Sequence, residues 1–136
     1  MATTFSHEEK AAMRAAVAEK KAAQEGADSA AQCDAAIAAM TGSDRELAAT
    51  FHQLVMENTS LAAKTWYGMP AYANADGKTV VAFKPAAKFK TRYATIEFQQ
   101  AATLDDGALW PVGFAVTQLD AAGSKRVADI LKAATR

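Results

Sequence analysis

One cysteine, two histidines and three prolines in 136 residues leave little material for covalent bracing or metal chemistry. A lone Cys33 excludes an internal disulfide framework, a zinc ribbon and a paired redox motif, since each needs at least two thiols. His7 and His52 stand far apart, and neither has a second ligand three or four residues on. Charge of one sign is missing as well: 15 Lys plus Arg balance 15 Asp plus Glu, which argues against a general nucleic-acid binder. No apolar run approaches the roughly 20 residues of a membrane span, and no secretory segment opens the chain, so the expectation is a cytoplasmic protein. There is no Gly-x-Ser-x-Gly and no phosphate-cradling glycine loop. No nucleophile–base pair or cofactor loop marks the chain as an enzyme. Large apolar side chains are also scarce, because 35 alanines supply about half of the 51% hydrophobic content. The length still suits one domain with a real, if modest, core.

What is present is patterned. Residues 1–58 carry five basic and nine acidic side chains, and residues 59–136 carry ten and six. Such asymmetry reflects solvated faces, or brings two halves or two subunits together. Three helices are signalled before residue 60. Ser6 with Glu9 has capping-box spacing ahead of an alanine-rich run that stops at Gly26. Ser29 with Gln32 opens a second helix, with Cys33, Ile37 and Met40 on one side. Ser43 with Glu46 opens a third, in which Leu47, Phe51, Leu54 and Val55 form a core-facing stripe.

From about residue 62 the period becomes two. Ala62–Tyr67 reads as a strand broken at Gly68-Met69-Pro70, where proline forces Met69 to be extended. Ala71–Ala73 and Lys78–Lys84 read as a hairpin around Asn74-Ala75-Asp76-Gly77. Arg92–Phe98 and Trp110–Thr117 alternate, and Asp120 caps a last helix striped by Val127, Ile130, Leu131 and Ala134. The fold class this implies is α+β: an antiparallel sheet of four or five strands with helices on one face. Residues 1–42 read as an N-terminal helical extension on a compact domain of residues 43–136.

Two groups of residues invite chemistry. Lys84, Lys88, Lys90 and Arg92 lie within ten residues of Phe89 and Tyr93, and cations beside aromatic faces suit an anion or a planar ligand. The same segment also reads as a solvated connection whose lysines protect a sheet edge. Trp66, Tyr67, Tyr72, Phe83 and Trp110 are packing residues first, yet beside the bend they could wall a pocket. Glu97, Asp105 and Asp106 form a weak hard-metal set, or else a plain turn in which Asp bonds the backbone. Cys33, among alanines, reads as a small buried hydrophobe.

Trp66-Tyr67-Gly68-Met69-Pro70-Ala71-Tyr72, the hairpin through Phe83-Lys84, Phe89-Lys90, Ile96-Glu97-Phe98 and Leu104-Asp105-Asp106 together resemble the YdhG-like family, the bacterial domain of unknown function numbered 1801. The resemblance covers about residues 45–136 and implies a frataxin-like α+β fold. The family's function is mostly unassigned, although one member has been described as an intracellular iron chaperone. Two departures separate this chain from it: Thr91-Arg92 where many members carry His, and Trp110-Pro111-Val112-Gly113-Phe114 in place of a basic stretch. An iron-binding ridge would draw on Asp44, Glu46 and Glu57 of the third helix, but the last two sit roughly 16 Å apart along it.

Three readings follow. The first is a non-catalytic binding domain for a small anionic ligand or acidic partner. Lys84, Lys90 and Arg92 would neutralise the charge, and Trp66, Met69, Pro70, Tyr72, Phe89 and Trp110 would line the site. The second is a frataxin-like iron chaperone, holding iron weakly through Glu97, Asp105 and Asp106. The third is an oligomerisation module, such as a homodimer, with residues 1–42 as a helical arm.

Overall fold

A computed structural model describes residues 6–24 and 28–136. The architecture is α+β. Three helices come first, α1 (His7–Gln24), α2 (Ser29–Ala38) and α3 (Gly42–Asn58). Strands β1 (Ala62–Trp66), β2 (Met69–Ala73) and β3 (Thr79–Lys84) follow, then the one-turn helix α4 (Ala86–Phe89). Strands β4 (Ala94–Phe98) and β5 (Gly113–Val116) and helix α5 (Ala121–Ala134) complete the chain. The sheet is a five-stranded antiparallel meander in the order β1-β2-β3-β4-β5. Among the described residues no helix is long and apolar enough to cross a membrane.

Strand alternation divides the sheet into two unlike faces. Ala63, Tyr72, Val81 and Phe98 stand opposite one another across β1 to β4, and Phe83, Ile96 and Phe114 form the next row of the same face. This face holds the main core. Leu47, Phe51 and Val55 of α3 and Leu131 and Ala134 of α5 are buried in it, with Phe51 edge-on to Tyr72 at 5.7 Å between ring centroids. Cys33 and Ile37 of α2 join the same cluster. The second face carries the row Lys64, Ala71, Ala82 and Glu97, with Trp66, Met69 and Lys84 near one end. The fully buried centre of that row is two alanines, Ala71 and Ala82.

Local signals differ from expectation at several ends. Asp28, not Ser29, caps α2 by accepting the amides of Ala30 and Ala31. Helix α3 starts at Gly42 after Thr41 and has no side-chain cap bond, so the Ser43–Glu46 capping box does not form. Asp44 is turned inward instead, only 6% exposed. Strand β5 keeps four residues of the expected Trp110–Thr117 run, beginning after the Pro111 that interrupts it. The Lys84–Arg92 connection contains α4, and Lys90 ends that helix in the left-handed conformation (φ 55°). Asp120 caps α5 as expected, its Oδ1 accepting the Gly123 amide at 2.8 Å. The expected stop of α1 at Gly26 lies outside the described residues.

Candidate functional site

The site begins at the β1–β2 turn. Trp66 pairs with Met69, which leaves Tyr67 and Gly68 as a two-residue hairpin turn. Both have positive φ, 52° and 79°, as a turn matching the right-handed twist of the strands requires. Gly68 suits that geometry; an aromatic residue at Tyr67 is strained by it. Helix α1 braces the turn: the two carboxylate oxygens of Glu19 accept the Tyr67 amide at 3.0 Å and the Gly68 amide at 2.6 Å. Gly68 has a second role. A Cβ there would collide with the Lys88 side chain and press on Ala15, so the bend passes tightly between α1 and α4. Pro70 follows in β2, but β2 pairs with β3 only from Ala71 onward, so proline breaks no bond of that ladder.

Asp44 fixes α4 from behind. Its Oδ1 accepts the Ala86 amide at 3.0 Å and its Oδ2 the Ala87 amide at 2.9 Å, filling the cap position that Pro85 cannot. Asp44 is therefore a buried structural carboxylate rather than part of an exposed acidic ridge. Helix α4 in turn presents Lys88 and Phe89. Lys84 and Lys88 both approach the Phe89 ring, at 5.0 and 5.6 Å from its centroid. Lys90 turns to α1 and pairs with Glu8 at 2.8 Å. That hydrogen bond lowers the Glu8 carboxyl from its ordinary value and raises the Lys90 ammonium.

Between α1 and the second face of the sheet these elements leave a recess of about 450 Å³. Trp66, Met69, Lys84 and Phe89, all expected site residues, wall it together with Tyr67 and Glu97. Helix α1 closes the far side with Glu9, Ala12 and Met13. Among the described residues the charged groups at the wall are thus one cation, Lys84, and two carboxylates, Glu9 and Glu97.

The other expected residues lie elsewhere. Tyr72 points to the opposite face and is fully buried against Phe51 and His52, so it cannot wall this recess. Pro70 is buried within β2 and is not at its wall. Arg92 is exposed, its guanidinium 5.1 Å from the Tyr93 ring, and Trp110 is half-buried in the β4–β5 loop away from the recess. Of the three cations assigned to an anion, only Lys84 reaches the cavity. Glu97 faces it from β4, whereas Asp105 and Asp106 are exposed in the β4–β5 loop. Among the described residues no group of three His, Cys, Asp or Glu side chains is spaced to hold a metal ion.

A second polar cluster crosses the core. Tyr72 Oη lies 2.9 Å from His52 Nδ1, and Cys33 Sγ lies 3.9 Å from the same hydroxyl and 4.0 Å from that nitrogen. Burial raises both the Cys33 thiol and the Tyr72 phenol above their ordinary values. Both remain protonated at neutral pH, and the Tyr72 hydroxyl is hydrogen-bonded to His52. A protonated, fully buried thiol is a poor nucleophile, and this cluster serves packing.

Comparison with family models, curated proteins and solved structures returns no match, so the reading of the site rests on geometry. Sequence reasoning missed the contribution of α1. Glu19 lies some fifty residues from the turn it braces and Glu9 farther still from the walls it faces, and an alanine-rich helix gives no sign of covering a cavity.

Proposed function

We propose that the chain is a non-catalytic binding domain whose ligand occupies the recess between α1 and the sheet. The observation that carries this reading is convergence: Trp66, Met69, Lys84 and Phe89 come from three stretches of chain and wall one concavity of ligand size. The lining chemistry narrows the ligand. An apolar or planar body suits Trp66, Met69 and Phe89, and an anionic group suits Lys84, whose ammonium already lies beside an aromatic face. Glu9 and Glu97 oppose a wholly anionic molecule and favour one that also carries an ammonium or other donor. A small zwitterion with an apolar side group meets all three demands.

The test uses Trp66 as its own reporter. In a Trp110→Phe background, Trp66 emission is followed during titration with aromatic amino acids and with their deaminated carboxylates. The zwitterions are expected to perturb the emission saturably and to raise the melting temperature. Lys84→Gln should weaken them at least fivefold. If no member of either set perturbs Trp66 or the melting temperature, the reading fails.

A further inference from the structure

A second recess lies on the other side of the sheet, between the β5 edge and α5, with a volume of about 230 Å³. It exists because α5 closes on the core only toward its C-terminus. Leu131 and Ala134 are buried, whereas Val127 and Ile130, on the same stripe, are only half-buried. Gly123, one turn earlier, lines the same wedge and brings no side chain to fill it. Phe98 and Phe114, edge-on with centroids 6.1 Å apart, form the sheet side.

Among the described residues Arg126 is the only charged one lining the recess. Of the nearby carboxylates, Asp129 pairs with Lys125 at 3.2 Å, and Asp120 accepts the Gly123 amide through one oxygen. Among the described residues Arg126 makes no ion pair. A concave apolar wedge beside a guanidinium outside any ion pair suits an apolar body ending in a planar anion, because guanidinium and carboxylate can pair through two parallel hydrogen bonds.

We propose that this recess binds a small amphipathic carboxylate. Its alkyl or aryl body lies against Phe98, Phe114, Val127 and Ile130, and its carboxylate lies on Arg126. The volume equals that of roughly eight liquid waters, which limits the body to about eight carbons. Because Glu97 faces the first recess and Ile96 and Phe98 face this one, the two sites lie on opposite sides of the sheet. This proposal therefore stands independently of the one above.

The experiment titrates the isotope-labelled full chain with sodium octanoate, and separately with 1-octanol, following backbone amide resonances. Octanoate is expected to shift Phe114, Gly123 and Val127 saturably, and to bind at least fivefold more tightly than octanol. Arg126→Gln should remove that advantage while leaving octanol binding unchanged. Arg126 is exposed, so its replacement tests charge without threatening the fold. Val127→Phe, which fills the wedge, should weaken both probes tenfold, and Lys84→Gln should change neither. Equal affinity for the two probes, an Arg126→Gln variant that binds octanoate normally, or shifts confined to Trp66 and Met69 would each overturn the proposal. Absence of any saturable shift would overturn it too.

Discussion

Removing the carboxylate of Asp44 should cost far more than the loss of an ordinary helix-start residue. Its two oxygens accept the Ala86 and Ala87 amides at 3.0 and 2.9 Å, and the residue is 6% exposed. A hydrogen bond to a charged group contributes about 1.5–3 kcal/mol, and a lost N-cap typically costs about 1 kcal/mol. The two bonds share one carboxylate, whose burial offsets part of the gain, so Asp44→Ala is expected to destabilise by about 3 kcal/mol. For a domain of this length that corresponds to a melting temperature lower by roughly 10 °C. Asp44→Asn keeps one acceptor oxygen and the shape, and about half the loss should remain. Urea unfolding gives the free energies, and amide hydrogen exchange localises them: Ala86 and Ala87 should exchange faster in both variants. This role of Asp44 also links stability to the candidate site, because α4 carries Phe89 and its release should alter Trp66 emission. A loss below 1 kcal/mol with unchanged exchange at Ala86 and Ala87 would refute it, as would Asp44→Asn proving as damaging as Asp44→Ala.

Two other sets of contacts have measurable consequences. Glu19→Ala leaves the amides of Tyr67 and Gly68 without their partner and should cost about 1 kcal/mol, with faster exchange confined to α1 and the β1–β2 turn; uniform loosening of the whole domain would contradict this. Alkaline pH should weaken the fold, because Cys33 and Tyr72 keep their protons to higher pH folded than unfolded. Both values are raised, so their contribution is intact below the ordinary thiol and phenol range. It is lost as pH climbs beyond that range, at up to about 1.4 kcal/mol per pH unit for each group. Urea midpoints measured from pH 8 to 10.5 should fall steeply, and less so in Tyr72→Phe; a flat profile would exclude the effect.

The fold was legible where large apolar residues set a period. The stripe Leu47, Phe51 and Val55, the alternation of Ala94, Ile96 and Phe98, and the α5 stripe all face the core as their spacing implies. Turn chemistry was partly legible: Asn74 does organise the β2–β3 turn, its Oδ1 accepting the amides of Asp76 and Lys78. Alanine hid the remainder. Helix α2 contributes only Cys33 and Ile37, yet both are in the core, because small residues let it lie close over β1 and β2. The cation cluster was misleading for a different reason. Proximity in sequence says nothing of direction, and the left-handed turn at Lys90 sends it to Glu8 and away from Lys84. Tyr72 illustrates the parity of a strand: one position from Ala71, it belongs to the other face.

The weak apolar face of α1 then acquires a physical reason. A helix with leucines on its inner side would fill the space above Trp66 and Met69 and join the core. This one has a buried Ala12, an Ala15 set close to Gly68, and a Met13 that stays 44% exposed. Its hold on the rest of the molecule comes from polar contacts toward its two ends, Glu8 on Lys90 and Glu19 on the Tyr67–Gly68 turn. Fastening a helix at its ends while giving its middle small side chains keeps it over the sheet without packing it down, and the space so preserved is the recess. The same arrangement leaves α1 lightly held, since exposed ion pairs contribute little and alanine buries little area. A ligand seated between Trp66 and Met13 would supply the apolar contact that the helix itself lacks, so occupancy and attachment of α1 should rise together.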